Sequence, residues 1–253
     1  MSTRPKRSED LGFELDLDGK SVPISVVRRT NARRYILRVR ASARDIQLTM
    51  PPYGSLREAR LFAEGQSDWI AMRLECLPKP LRFVTGTVIP YKGRLHVIEH
   101  RPDRRSGVWI EPGAANPRAP ERDLPRLCVA CQPAHMRRRV REWLRQEALR
   151  AFTLASRKHA KALGVEFNRV MIRDQKSRWG SCSISGTLAY SWRLILAPTY
   201  VLDYLAAHEV AHLKEMNHSD RFWKAVYRLC PATDRAEAWL KVHGRELHRY
   251  DAD

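Results

Sequence analysis

The residues best suited to chemistry lie in the segment HEVAHLKEMNH, from His208 to His218. If His208 to Lys214 is helical, His208 and His212 lie one turn apart on one face, where two imidazoles can bind one metal ion. Glu209 lies about 100° further round the helix, where it can reach a water on the metal. Zinc lowers the pKa of bound water to roughly 7, and a neighbouring carboxylate takes the proton as the water attacks a carbonyl. The pattern predicts one zinc ion per chain with Glu209 as general base.

A catalytic zinc site needs a third protein ligand and a fourth position open to water. His218 is the candidate, because Asn217 before it readily adopts the left-handed conformation that ends a helix. A turn at Asn217 could bring His218 to the metal. The alternative is a helix with two hydrogen-bonded histidines and a surface glutamate. That alternative explains poorly why polar residues interrupt the apolar run that begins with YVLDYLAA.

The elements that must position this segment surround it in the second half of the chain. A strand RVMIRD follows Gly164, a polar loop KSRWGSCS with a turn at Gly180 comes next, and GTLAYSWRLILAP alternates as a strand ending at Pro198. Thr199 is the expected N-cap of the metal-binding helix. In zinc peptidases an edge strand above the metal can pair with an extended substrate, and this strand is the candidate. Beyond His218, Ser219 is expected to cap a helix DRFWKAVYRLC whose aromatic residues pack beneath the histidine turn.

Four side chains on the loop and the strand are candidates for substrate contact: Arg178, Ser181, Tyr190 and Trp192. The two loop residues could bind substrate or stabilise an oxyanion. Cys182 could approach the zinc as a thiolate. We favour the alternative, in which Trp179 and Cys182 are buried and hold the loop against the helix.

The first half of the chain alternates as strands do and contains one helix. Strands are predicted at FELDL, VPISVV, RYILRVR and DIQLTM, and later at VIPY, RLHVIEH, GVWIEP and LCVAC. Ser55 is expected to cap a helix from Leu56 to about Leu77. We therefore predict an α+β protein with a disordered tail at residues 1–10, a mostly antiparallel β-rich region at 11–130 and a second α+β domain at 131–253.

Composition restricts the class of protein and its partners. The chain has 253 residues, 43% of them hydrophobic, which indicates a globular protein. No apolar run approaches the ~20 residues of a membrane span, and MSTRPKRSEDLG lacks the apolar region of a secretion signal, so we expect a cytoplasmic protein without membrane contact. Five cysteines are an odd number and argue against a disulfide framework. Cys128 and Cys131 lack a second pair and are expected to be structural.

A net charge of +18 with a pI near 10.3 favours an anionic partner. The densest basic surface is predicted on a long helix from Pro133 to about Leu163. Its candidate nucleic-acid contacts are Arg137, Arg138, Arg139, Arg141 and Arg145. The alternative is an arginine-rich surface that contacts only solvent.

The stretch RDQKSRWGSCSISGTLAYSWRLILAPTYVLDYLAAHEVAHLKEMNHSDRFW resembles the core signature of the YgjP-like metallopeptidase family, which is similar in turn to SprT-like and WLM zinc proteases. The resemblance extends more weakly over the N-terminal half, including GTVIPYKGRLHVI. It implies a zincin-like fold, zinc ligation by His208, His212 and His218, and Glu209 as general base. The histidine spacing also equals that of metzincins, but Glu215 replaces their Gly and no Met follows His218 to form a Met-turn, so a metzincin is not expected.

Two functional hypotheses follow. In the first, the protein is a zinc-dependent metallopeptidase that hydrolyses peptide or protein substrates by Glu209-assisted attack of a zinc-bound water. In the second, it associates with nucleic acid, either as a protease of DNA-bound proteins like the SprT type or as a binding module with structural zinc. A pseudo-enzyme that keeps the fold is a weaker third possibility, because the three histidines and the glutamate are intact.

Overall fold

A computed structural model describes residues 11–40, 45–77, 79–105, 107–113, 124–175 and 177–251. The predicted disordered tail at residues 1–10 lies outside these ranges. The chain divides into two compact units, Met1–Lys79 and Pro80–Asp253, here called the N-terminal and C-terminal units. Each unit combines helices with sheets of mixed strand direction. The predicted α+β fold class is confirmed.

The N-terminal unit is built on a four-stranded sheet whose strands were all predicted. In chain order they are β1 (Leu11–Leu17), β2 (Lys20–Arg28), β3 (Ile36–Arg40) and β4 (Asp45–Met50). The spatial order is β1-β2-β4-β3, so β3 lies at an edge. Asp18 and Gly19 join β1 to β2 with φ of 51° and 79°, the left-handed pair of a tight hairpin turn. Alternate residues such as Ile24, Ile46 and Leu48 are fully buried and form the core of this unit.

Two short helices, α1 (Leu56–Glu64) and α2 (Ser67–Glu75), cover this core. The prediction of one continuous helix to Leu77 is wrong, because the chain breaks at Gly65 and Gln66. Glycine lowers helix stability and permits the break. The predicted cap is confirmed, since the Ser55 side chain accepts a hydrogen bond from the Glu58 backbone and the Glu58 carboxylate accepts one from the Ser55 backbone.

The C-terminal unit begins with a second four-stranded sheet. Its strands are β5 (Val88–Tyr91), β6 (Arg94–His100), β7 (Gly107–Glu111) and β8 (Arg126–Ala130), in the order β5-β6-β8-β7. Buried residues of this sheet, including Ile89, Ile98 and Leu127, share one core with the helices that follow. The boundary between the units therefore lies near residue 80, whereas the sequence placed a division near residue 130.

A 28-residue helix, α3 (Met136–Leu163), packs on that sheet and follows a 3₁₀ turn at Pro133–His135. Its fully buried stripe includes Val140, Leu144 and Phe152. The helix ends at Gly164, which has a left-handed φ of 70° and donates its backbone N–H to carbonyls of the last turn.

A three-stranded sheet follows and precedes the predicted metal-binding helix in the chain. Its strands are β9 (Arg169–Arg173), β10 (Gly180–Cys182) and β11 (Thr187–Ser191), in the order β10-β11-β9. Three predictions need correction. β10 replaces part of the predicted loop, β11 ends at Ser191 because residues 192–196 form a 3₁₀ helix, and β11 is the central strand. The edge strands are β10 and β9.

Three helices complete the unit: α4 (Thr199–Ala211), α5 (Asp220–Leu229) and α6 (Thr233–Leu247). The helix α4 is buried along most of its length, which agrees with its apolar sequence. Its N-cap is Pro198 and has no side-chain hydrogen bond, so the predicted Thr199 cap is wrong by one residue. Within the described ranges, the structure contains no helix long and apolar enough to cross a membrane.

Candidate metal centre

The C-terminal end of α4 positions the first two histidines. Helix α4 ends at Ala211, and His212 is its C-cap with an αR backbone. The His212 backbone N–H still donates to the carbonyl of His208 at 3.3 Å, so the two side chains lie one turn apart as predicted. The helix is shorter than the predicted His208 to Lys214, but the following turn continues the helical direction.

The third histidine is held by the beginning of α5. Asn217 does not adopt the left-handed conformation, so that part of the prediction is wrong. Instead, the Ser219 side chain caps α5 by accepting the Phe222 backbone N–H, as predicted. Phe222 is fully buried, and its ring centroid lies 4.4 Å from that of His212 and 4.8 Å from that of His218. The predicted aromatic support beneath the histidine turn is confirmed.

The three imidazoles converge on one point. One ring nitrogen from each of His208, His212 and His218 lies within 4.8 Å of the other two. The Nε2 atoms of His208 and His218 are 3.2 Å apart. Two nitrogens bound to a tetrahedral zinc at about 2.05 Å would be separated by about 3.3 Å. The donor set and its spacing therefore fit a zinc ion held by three histidines.

The second nitrogen of two of these rings is held by a neighbour. His212 Nδ1 lies 3.1 Å from the Glu215 carbonyl oxygen. His208 Nδ1 lies 3.4 Å from the Tyr204 hydroxyl, which in turn donates to Glu237 Oε1 at 2.7 Å. Such partners fix the ring orientation and tautomer of metal ligands. Tyr204 and Glu237 are not among the site residues predicted from the sequence. Tyr204 is one turn before His208, but nothing in the sequence pairs it with a residue of α6.

Electrostatics keep the cluster in the form that binds metal. Burial, together with the neighbouring His212 and His218, lowers the pKa of His208 to about 4. Burial also lowers the pKa of His212. Both rings are therefore neutral near pH 7, as metal ligation requires.

Glu209 lies beneath the edge strand β10. Its side chain is buried, and a Cβ atom added to Gly180 would lie 2.8 Å from its carboxyl carbon. A side chain at residue 180 would therefore displace the Glu209 carboxylate, a reason for glycine different from the predicted turn. Burial raises the pKa of Glu209 to about 8, and the charge of Arg178 acts in the opposite direction. A carboxyl group with a pKa near neutrality is suited to accept and return a proton.

The predicted RWGSC loop contacts α6 and Glu209. The Trp179 ring stacks on His248 with centroids 4.9 Å apart, and Trp179 and Cys182 are partly buried against the core. Burial, with the charge of Glu209, raises the pKa of the Cys182 thiol to about 11. These contacts favour the packing role over a thiolate ligand. Arg178 is exposed and Ser181 is half-buried, so both are open to a substrate.

Tyr190 and Trp192 are placed differently from the substrate-binding role that the sequence suggested. Both side chains are fully buried. The Tyr190 ring stacks on Phe152 of α3 at 4.0 Å, and its hydroxyl hydrogen-bonds Ser156 at 3.0 Å. Tyr190 lies on the central strand β11 and Trp192 in the 3₁₀ helix that follows, and both side chains fill the core.

Most of the α3 arginines are engaged within the protein. Four of the five candidates form ion pairs or hydrogen bonds: Arg137 with Asp251 at 2.5 Å, Arg141 with Asp251 at 2.8 Å, Arg138 with Glu142 at 2.9 Å and Arg145 with the Ile172 carbonyl at 3.1 Å. Arg139 is exposed and forms no ion pair with any residue that the structure describes. This surface has less free positive charge than the sequence suggested.

Other candidate ligands lie apart from the three histidines. His100 Nε2 is 2.6 Å from the Cys131 carbonyl oxygen, and Cys128 is buried in β8. Among the described residues, the three histidines form the only group of at least three His, Cys, Asp or Glu side chains arranged for a metal.

The arrangement is typical of metal-dependent hydrolases of the H-E-x-x-H class: two histidines one turn apart on a helix, a third histidine, a buried glutamate and an overlying edge strand. The family description "YgjP-like, metallopeptidase domain" matches residues 33–243, and the chain belongs to this family. It is also similar to the metallopeptidase zymogen abylysin of Pyrococcus abyssi, with 25% identity, a TM-score of 0.32 and coverage of 36% of this chain and 95% of that one. A comparison with curated proteins gives no match.

Proposed function

We propose that the protein is a zinc-dependent peptidase that uses Glu209 as general base. The observation that supports this most strongly is the convergence of three histidine nitrogens within 4.8 Å beside a buried carboxylate. The family is a metallopeptidase family, and three histidine imidazoles are a ligand set that zinc prefers.

Each part of the site has a role in this proposal. His208, His212 and His218 would hold one zinc ion, which when bound supplies a Lewis acid and lowers the pKa of water. Glu209 accepts the proton from the nucleophile and returns it to the leaving amine. The backbone of β10 pairs with the extended substrate, since β10 is an edge strand directly above Glu209. Arg178 and Ser181 are candidate contacts to the substrate carbonyl.

Metal content is the first test. Purified wild-type protein should contain about one zinc per chain, whereas His218→Ala should lose it or bind it much more weakly. His243→Ala is the matched control, because His243 belongs to α6 and faces Glu246 at 3.9 Å. Full zinc retention in His218→Ala would mean that the third ligand is another residue.

Glu209→Gln tests the chemistry separately from metal binding. The amide keeps the shape of the side chain but cannot accept the proton. We expect unchanged zinc content and a loss of at least about 10²-fold in cleavage of a fluorophore-quenched casein. Retained activity, or loss of zinc, would contradict the assigned role.

We keep association with nucleic acid as a second candidate, because a net charge of +18 favours a polyanionic partner. The α3 arginines support it weakly, since most of them are paired within the chain. A cleft in the N-terminal unit supports it better.

A further inference from the structure

The N-terminal unit contains a cleft that the proposed peptidase chemistry does not use. It encloses about 600 Å³, within the usual size range of ligand sites. It lies among β3, the residues before it, and helices α1 and α2. The polar and aromatic residues that line it are Arg33, Arg34, Tyr35, Phe62, Gln66 and Trp69.

Three aromatic side chains give the cleft flat apolar walls. The ring centroids of Tyr35 and Phe62 are 5.7 Å apart, with 30° between the ring planes. The Tyr35 hydroxyl donates to Glu58 at 2.8 Å, which fixes its ring, and Phe62 packs against the core of the unit. Trp69 is 38% exposed, a large indole surface left open to solvent. Exposed, fixed aromatic rings are the platforms on which unpaired nucleobases stack.

Two adjacent arginines supply positive charge at the cleft. Arg33 and Arg34 are exposed, and within the described part of the chain neither forms an ion pair or a side-chain hydrogen bond. The nearby Arg28 differs, because its guanidinium donates to backbone carbonyls, including that of Gly54 at 2.8 Å. Arg33 and Arg34 therefore keep their charge and their donors available to an anion.

We propose that this cleft binds single-stranded nucleic acid. Bases stack on Trp69 and on the Tyr35–Phe62 wall, and the Arg33 and Arg34 guanidinium groups pair with phosphates. A single strand is favoured over a duplex because stacking on a side chain requires unpaired bases. It is favoured over an acidic peptide because carboxylates would use the arginines but leave the aromatic walls unused. This binding activity is separate from the proposed peptidase activity.

The test uses the full-length protein and a fluorescein-labelled 15-nucleotide oligothymidylate, with binding followed by fluorescence anisotropy. Wild type should bind at about 50 mM salt, with affinity that falls steeply as salt rises. Arg33→Ala/Arg34→Ala should weaken binding at least about 10-fold and reduce the salt slope by about 1.4, because each single-strand phosphate contact contributes about 0.7. Trp69→Ala should weaken binding roughly 5-fold or more with little change in the slope, and Trp69→Phe should restore part of the loss.

The competing surface is tested with Arg138→Ala/Arg139→Ala, which removes the same charge from the candidate contacts on α3 and should change affinity less than 3-fold. Unchanged zinc content and circular dichroism in every variant would establish that the fold is intact. The proposal is overturned if wild type does not bind, if the α3 variant loses as much affinity as the cleft variant, or if Trp69→Ala binds like wild type. Equal affinity for an oligoglutamate of the same charge would also overturn it, because charge alone would then explain the binding.

Discussion

Helix α4 contributes to two histidine environments that differ in the partner of the imidazole nitrogen. On the side facing α3, Asp203 Oδ1 lies 2.9 Å from Nε2 of His159, a ring only 1% exposed, and Lys158 approaches the same carboxylate at 3.2 Å. At its C-terminal end, His208 and His218 instead present Nε2 atoms to each other at 3.2 Å. Among the described residues, no carboxylate forms an ion pair with the three clustered histidines.

The two environments separate a histidine paired with a carboxylate from histidines that face one another. His159 is fully buried, whereas His208 and His212 are half-buried and His218 is exposed. His159 has an anionic hydrogen-bond partner, so the pair satisfies itself and ties α3 to α4. The three clustered imidazoles direct nitrogens at one point, an arrangement in which a cation between them would use their lone pairs. The two environments therefore differ in the partner of the ring as well as in its burial.

The largest expected difference between the environments is the effect of zinc on thermal stability. A ligand present at 1,000 times its dissociation constant stabilises the folded state by about 4 kcal/mol, or roughly 8–16 °C for a unit of this size. Removing zinc from the wild type should lower the melting temperature by that amount. His212→Ala should show no zinc-dependent shift, whereas His159→Ala should keep the full shift from a lower starting temperature. Differential scanning calorimetry with and without chelator measures both.

If the zinc-dependent shift in melting temperature disappears in His159→Ala, the two environments are not separate. The His159–Asp203 pair would then be part of the metal site. Persistence of the full shift in His212→Ala would remove that residue from the ligand set.

The second largest effect is expected for turnover when Gly180 is substituted. Gly180 contacts Glu209 closely, and no described strand contacts the His159–Asp203 pair in this way. Gly180→Val should displace the Glu209 carboxylate, because even a Cβ atom would lie 2.8 Å from its carboxyl carbon. A misplacement of about 1 Å in a catalytic group costs on the order of 10² in turnover. We expect that loss in casein cleavage with unchanged zinc content. Ile184→Ala, at an exposed turn after the same strand, is the control and should cleave normally.

Normal cleavage by Gly180→Val would show that the strand can move away from Glu209 without consequence, and β10 would no longer be a candidate substrate strand.

The local parts of this architecture could be predicted from the sequence. The alternating strands, the Ser55 and Ser219 caps, the two histidines one turn apart and the aromatic residues beneath His218 depend on neighbours close in the chain. The assignment to the metallopeptidase family also rested on a contiguous stretch, and the family match agrees with it.

The parts that failed depend on packing between distant segments. Gly180 was taken as a turn glycine, because a sequence cannot show that Glu209 occupies the space of its missing side chain. Tyr190 lies on the central strand and Trp192 in the 3₁₀ helix that follows it, and strand order is set by partners elsewhere in the chain. The α3 arginines formed a dense basic run, but Asp251, more than 100 residues away, neutralises two of them.

A smaller effect, on zinc affinity, is expected for Tyr204, whose hydroxyl lies beside His208 Nδ1. Tyr204→Phe removes the hydroxyl that lies 3.4 Å from His208 Nδ1 and bonds Glu237. Loss of such a partner typically weakens metal affinity 10–100-fold. We expect a loss of about 10-fold, measured by zinc competition with a chromophoric chelator, and a similar loss in Glu237→Gln. Tyr200→Phe is the control on the same helix, since the Tyr200 ring contacts Arg235 at 4.2 Å.

Unchanged zinc affinity in Tyr204→Phe would show that packing alone orients His208. The difference between His208 and His159 would then depend only on the partner of Nε2, which is His218 for His208 and Asp203 for His159.

The smallest effect is expected for the ion pair between His159 and Asp203. The hydrogen bond from His159, aided by the charges of His159 and Lys158, holds the pKa of Asp203 below its usual range. A carboxylate whose pKa is lower in the folded state stabilises the protein above its unfolded-state pKa, near 4, and loses that contribution as pH falls through the folded-state value. Asp203→Asn should therefore cost about 1 kcal/mol of unfolding free energy at pH 7.

That cost should shrink as the pH falls below about 4, because the wild type then loses the same charge. Urea unfolding of metal-free protein measures it without a contribution from proton-linked zinc release. Glu166→Gln, at an exposed carboxylate of the same unit, should show neither the cost nor its pH dependence. A cost that stays constant to about pH 3 would mean that Asp203 acts through packing rather than charge. Packing around His159 would then account for the stability of this pair. An anionic partner would no longer be the property that distinguishes His159 from the three clustered histidines.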